Sequence, residues 1–229
     1  MQTVITPKIA LIMPWKKQAG SGSEWDSYPY DKMVDSQTMR AELHTLMDIP
    51  GVPLESIGEK LNTLIKSIDA DIILRVDSDD VYGPEYVEGM VNGLIESKAD
   101  LVGLSSAYFL NSVPEAGVSD LYEYNYVPVR PGVVKVCGAT MCFWKKTWEQ
   151  HKFEDVSEGE DRMFCEAVQK TGKIVALNHL REQFVAILNG QNTCSHKQLP
   201  FMRKLTEREH EMKRGSSIGS ILKNYGYEI

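Results

Sequence analysis

The chain has 229 residues, 42% hydrophobic and 25% charged, an ordinary globular composition and enough length for one substantial α/β domain. Its 25 Lys and Arg against 32 Asp and Glu leave a net charge of −7, which disfavours a broad basic surface for nucleic acid or an anionic membrane. No run approaches ~18 uninterrupted apolar residues, so no membrane span is expected. The first eight residues lack the basic-then-apolar order of a secretory signal, and the four cysteines form no CxxC pair. Buried free thiols in a reducing cytoplasm are the simplest expectation.

In chain order, Lys8 to Pro14 reads as a buried strand running into a loop from Trp15 to Tyr30, rich in Gly and Ser. Val34 to Met47 carries weak helical periodicity and stops before Pro50-Gly51-Val52-Pro53. Ser56 caps a helix over Ile57 to Ile68, with Glu59 placed for a capping box and Ile57, Leu61, Leu64, Ile65 and Ile68 at helical spacing. A strand ending at Asp77, a helix from Pro84 to Ser97 and a strand from Ala99 to Ser105 follow. This β-α-β-α-β alternation predicts a mostly parallel sheet flanked by helices. Tyr108 to Pro131 shows little period. Val133 to Val136 and Ala139 to Trp144 read as two short strands around Gly138. A helix from Glu160 to Lys170, strands at Ile174 to Leu177 and Phe184 to Leu188, and a helix-rich tail complete the chain. The expected division is one α/β domain over 1–196 and a helical extension over 197–229 packed on it.

The densest chemistry lies where the second buried strand ends, in Asp71-Ile72-Ile73-Leu74-Arg75-Val76-Asp77-Ser78-Asp79-Asp80. Open α/β sheets bind ligands at the carboxyl ends of their strands. Hard carboxylate oxygens there suit Mg²⁺ or Mn²⁺, which bridges phosphates. A solvated acidic turn fits the same residues. A second cluster, Phe153-Glu154-Asp155-Val156-Ser157-Glu158-Gly159-Glu160-Asp161-Arg162-Met163-Phe164, puts two acids at a helix start, where the helix dipole stabilises them whatever their role.

In this order the two clusters resemble those of family 2 glycosyltransferases of the GT-A fold. Asp77-Ser78-Asp79-Asp80 with Pro84 is similar to the family's metal-binding motif, and Gly159-Glu160-Asp161-Arg162 with Phe164 to its catalytic-base motif. Gly138-Ala139-Thr140, Trp148 and Phe153 resemble the stretch between them. The resemblance spans about residues 8 to 196 and is weakest between Lys16 and Ile57, where no second strand with a base-contacting acid is evident. It implies a Rossmann-like GT-A domain and a metal-dependent, inverting transfer of sugar from a nucleotide-diphosphate donor, UDP-sugar foremost, to an acceptor hydroxyl on a glycan, a protein or a modified nucleic-acid base. Asp161 is then the base and Glu160 its helper. Asp77 and Asp79 hold Mn²⁺ or Mg²⁺, with His196 as a further ligand or Asn189 in its place. Pro14, Trp15, Lys60, Asn62, Asp77, Ser78 and Asp80 meet the donor. Lys16, Lys17, His179 and an acceptor wall of Tyr122, Tyr124 and Tyr126 are weaker candidates, each also readable as surface or packing.

Two rivals fit part of the pattern. Asp77-Ser78-Asp79-Asp80-Val81 also satisfies the nucleophile motif of haloacid-dehalogenase-type phosphatases, although that motif normally closes the first strand of its fold. A nucleotide-sugar-binding protein without turnover is the other.

Overall fold

The computed structural model describes residues 6–14, 30–46, 56–112, 120–126, 133–188 and 202–229. Its main sheet has six strands in the order β2-β1-β3-β8-β5-β9. They are β1 (Ile9–Pro14), β2 (Glu42–Leu46), β3 (Ile72–Arg75), β5 (Leu101–Gly103), β8 (Cys142–Trp144) and β9 (Ile174–Ala176). β8 runs antiparallel between β3 and β5, while the remaining pairs are parallel. A second sheet, β11-β7-β6-β10-β4, comprises β4 (Val81–Tyr82), β6 (Ser106–Asn111), β7 (Asp120–Asn125), β10 (Phe184–Leu188) and β11 (Arg203–Lys204).

The apolar strands are buried on both faces, as their unbroken hydrophobic runs require. In β1, Leu11 and Met13 enter one core and Ala10 and Ile12 the other; in β3, Ile72 and Leu74 oppose Ile73 in the same way. Helix α2 (Ile57–Ser67) covers one face through Leu61, Leu64 and Ile65, beside α4 (Lys145–Gln150) and α5 (Glu160–Thr171), which supply Trp148 and Phe164. Phe153 stacks on Phe164 at 4.3 Å between ring centres and fixes the chain entering α5. Helix α3 (Tyr86–Ser97) covers the other face through Val87, Met90, Val91 and Leu94, in a core shared with Phe109, Phe184 and Ala186 of the second sheet. Each such side chain taken from water contributes roughly 1.5–3 kcal/mol. Among the described residues no helix is long and apolar enough to cross a membrane.

Several sequence expectations need correction. The segment expected as one helix over Val34 to Met47 splits into α1 (Tyr30–Ser36) and β2, the second strand that the sequence did not reveal. Ala41, Glu42 and Leu43 are good helix formers, but β1 offers a ladder that pairs Ala10 with Glu42 through Pro14 with Leu46, and tertiary pairing overrides propensity. The stretch from Tyr108, read as lacking period, holds most of β6 and all of β7, paired antiparallel from Ser106–Asn125 to Asn111–Asp120. Val133 to Val136 forms no strand, and the Val134 N–H donates to the Gln169 side chain instead of a ladder. The strand expected from Ala139 starts only at Cys142, because Gly138–Thr140 is a 3₁₀ turn. The tail adds the short strand β11 to α6 (Glu207–Arg214) and α7 (Ser217–Asn224).

Candidate active site

The acidic turn follows β3 directly and leads into β4, so it sits where the main sheet hands the chain to the second sheet. The Asp77 N–H donates to the Tyr82 hydroxyl at 2.8 Å, and that hydroxyl donates to the Ala139 carbonyl at 3.0 Å. One buried phenol therefore ties the turn to the 3₁₀ segment. Asp80 accepts the Ile187 N–H of β10 at 3.0 Å, which fastens the far end of the turn to the second sheet. Burial, and then the charges of Asp79 and Asp77, push the Asp80 carboxyl well above its usual range.

Arg75 joins the two acidic clusters. Its Nε donates to Asp77 Oδ1 at 3.2 Å and its Nη1 to Glu160 Oε1 at 2.9 Å, across 85 residues of sequence. The Arg75 and Glu160 side chains are 6% and 5% exposed, so the pair is dry. Burial opposes the guanidinium charge, but Asp77, Glu160 and Asp161 outweigh it and raise its pKa above the ordinary value. Burial also pushes the Glu160 carboxyl upward, against the pull of Arg75.

Asp161 occupies the opening of α5 beside this pair. It is half-buried, and its Oδ1 accepts the Arg162 N–H at 2.7 Å. The 3₁₀ turn approaches so closely that a Cβ on Gly138 would stand 2.9 Å from Asp161 Oδ2 and 3.2 Å from Arg75 Nη1. Only a residue without a side chain leaves both groups where they are. Gly159, before α5, has φ of 83°, the left-handed conformation that glycine adopts at no steric cost.

Of the residues singled out in the sequence, Asp77, Glu160 and Asp161 are gathered around Arg75, while Ser78, Asp79 and Asp80 continue the same turn. Pro14 ends β1, whose Ile12 carbonyl accepts the Val76 N–H just before that turn. Asn62 turns its amide elsewhere: Oδ1 accepts from Trp148 Nε1 at 2.8 Å and from the Phe153 N–H at 3.1 Å, and Nδ2 donates to the Phe153 carbonyl at 2.8 Å. Its place in the fold is to pin the chain leading to α5. Lys60 is buried on α2. His179 is exposed on a 3₁₀ turn, and Tyr124 packs edge-on against Tyr126 and Phe109, as the packing reading of these tyrosines expects. Trp15, Lys16, Lys17, Asn189 and His196 lie outside the described residues.

Arg75 and Tyr82 were not singled out in the sequence, although both hold the acidic turn. Arg75 carries a usable signal, since a charge inside an otherwise apolar strand demands a buried partner. The three described cysteines, Cys137, Cys142 and Cys165, are buried, and burial pushes each thiol up, Cys137 and Cys165 to about 12. None is primed as a nucleophile.

Among the described residues no group of three or more His, Cys, Asp or Glu side chains is arranged to hold a metal. The acidic turn does carry three carboxylates, Asp77, Asp79 and Asp80, whose hard oxygens are of the donor type that Mg²⁺ or Mn²⁺ takes.

No family model matches the chain. Protein RfbJ of Shigella flexneri is 31% identical over 75 residues, which are 33% of this chain and 58% of RfbJ. Among solved structures, S. aureus TarS 1–349 in complex with UDP-GlcNAc matches with a TM-score of 0.55 at 13% identity, over 82% of this chain and 61% of that one. The UDP complex of the same TarS fragment matches with a TM-score of 0.52 at 15% identity, over 79% of this chain and 60% of that one. The chain thus spans less than two thirds of the length of these relatives. Two mixed sheets flanked by helices, with an acidic turn at the end of a central parallel strand, give this chain the GT-A fold of the glycosyltransferases.

Proposed function

We propose that the protein is a metal-dependent, inverting glycosyltransferase that moves a sugar from a UDP-sugar to an acceptor hydroxyl. The observation that carries this reading is Arg75, whose Nε donates to Asp77 in the acidic turn and whose Nη1 donates to the buried Glu160, one residue before the half-buried Asp161 at the start of α5. A second support is that TarS, the fold relative, has been solved with UDP and with UDP-GlcNAc.

Asp77 and Asp79 would hold Mn²⁺ or Mg²⁺, which supplies charge neutralisation for the departing diphosphate. Asp161 takes the proton from the acceptor oxygen as that oxygen attacks the anomeric carbon from the face opposite the diphosphate. One C–O bond forms, the anomeric C–O bond to the diphosphate breaks, and the diphosphate leaves with the bonding pair. Glu160 is not the base, because it is dry and paired with Arg75. It fixes Arg75, and Arg75 in turn holds Asp77 and flanks Asp161. No observation favours the phosphatase: Asp77 follows the third strand of the main sheet in chain order, after β1 and β2, and its carboxylate is engaged by Arg75.

The test is release of UDP from a panel of UDP-sugars with Mn²⁺, in the presence of candidate acceptors. Asp161→Asn should lower turnover by ~10²–10⁴-fold while leaving UDP affinity within about twofold. Equal losses of affinity and turnover would remove Asp161 from the role of base. Asp79→Ala should weaken Mn²⁺-dependent UDP binding; unchanged metal dependence would refute that ligand. Release of inorganic phosphate from a phosphomonoester would overturn the reading as a whole.

A further inference from the structure

The C-terminal segment reaches the acidic turn. Helix α7 is seated on the second sheet by Ile218, Ile221 and Leu222, which share a core with Val81, Leu110, Val185 and Ile187. It ends in a Schellman arrangement: the Gly226 N–H donates to the Lys223 carbonyl and the Tyr227 N–H to the Leu222 carbonyl, both at 3.0 Å, with Gly226 at φ of 85°. Just before the reversal, Tyr225 faces the acidic turn.

Tyr225 lines a narrow cleft together with Met13, Met33, Asp77, Asp80 and Tyr82. Its hydroxyl donates to the Tyr82 carbonyl at 3.1 Å. The cleft it leaves is about 10 Å³, room for roughly one water molecule, at the carboxyl ends of β1 and β3. Tyr227 is half-buried and packs against the core that seats α7.

We propose that Tyr225–Gly226–Tyr227 is a strap over the nucleotide cleft, with Tyr225 as its latch, so that a nucleoside diphosphate enters only when Tyr225 swings out. This rests on the nucleotide-sugar reading of the same site. The latch is built to be reversible. It is held by hydrogen bonds to the neutral Tyr82 carbonyl and the Ser36 side chain, none to a charged group, and shares the cleft with Met13 and Met33, whose unbranched side chains re-pack easily. Helix α7 itself stays anchored through its own apolar face. Affinity for the nucleotide is then reduced by the fraction of molecules in which the latch is open.

The experiment is calorimetric titration of the full chain with UDP in MnCl₂. Tyr225→Phe, which loses only the hydrogen bonds of the hydroxyl, should bind UDP about threefold to tenfold tighter than wild type, and Tyr225→Ala at least ~10-fold tighter. Met212→Ala, on the exposed face of α6, should match wild type and control for any change in the C-terminal region. Melting curves of each variant verify folding, and Tyr225→Phe keeps the test open if the alanine variant is unstable. Equal or weaker binding by both Tyr225 variants overturns the latch while the nucleotide reading stands. Binding by the variants alone supports the latch most directly. Absence of UDP binding in wild type and variants alike overturns the nucleotide reading, and the strap with it.

Discussion

At the scale of single residues, the site depends on charges that are worth more for what they hold than for their own stability. Removing one member of a dry ion pair strands the other, at a cost of about 3–5 kcal/mol, whereas an apolar pair of similar volume is often neutral. Arg75→Met should therefore lower unfolding free energy in urea by that amount, and Arg75→Met with Glu160→Leu should recover most of it. A single-variant loss under ~1 kcal/mol would contradict a buried, paired Glu160. Asn62 makes a different kind of contribution, through three hydrogen bonds to Trp148 and Phe153. Asn62→Ala leaves those groups unmatched and should cost about 1–3 kcal/mol in the same assay. Arg75 was legible in principle, because a lone cation in an apolar strand advertises a partner. The use of Asn62 was not, since both its partners lie more than eighty residues away.

At the scale of elements, short turns decide the geometry that catalysis would use. Gly138→Ala inserts a Cβ into the space between Asp161 and Arg75, and a displacement near 1 Å at a reacting group costs ~10²-fold in rate. Turnover should fall by that order with little change in melting temperature; an unaltered rate would mean that the 3₁₀ turn does not set the Asp161 position. The Ser56 cap was readable from the sequence, and of its expected capping box the structure records the bond from the Glu59 N–H; the Thr206 cap was not singled out. Ser56 accepts the Glu59 N–H at 3.0 Å, so Ser56→Ala should cost about 1 kcal/mol. At α6 the full capping box is present, and the Glu209 carboxyl falls to about 2 through bonds from the Thr206 backbone, the Thr206 hydroxyl and Arg203. A depressed folded-state value means that the stabilisation is complete above about 4.5, the ordinary value, and is lost as pH falls toward 2. The difference in urea midpoint between wild type and Glu209→Gln should accordingly shrink over that window. A difference independent of pH would show that the cap does not need the charge.

At the scale of the whole molecule, the two sheets share one apolar core and are stitched at the acidic turn, where β3 leads through Asp77 to β4 and Asp80 holds β10. Both sheets should melt in one transition by far-ultraviolet circular dichroism and by tryptophan fluorescence. With UDP and Mn²⁺ at ~100 times the dissociation constant, binding linkage adds about 2.7 kcal/mol to stability and raises that transition. EDTA should abolish the shift. A UDP shift that survives EDTA would mean that the diphosphate is held by the chain alone.

The sequence by itself determined the parts that local physics controls: the apolar strands β1, β3, β9 and β10, the capped amphipathic helix α2, the acid-headed helix α5, and the two acidic clusters. Periodicity and capping act over a few residues, so a few residues suffice to read them. Only the tertiary structure decided that Glu42–Leu46 is a strand, since the ladder it joins is the one offered by β1. It also decided that Arg75 pairs with Glu160, 85 residues further along the chain, and that Tyr225 lines the cleft at Asp77. Contacts of that range are set by how sheets stack and chains cross, and no local pattern encodes them.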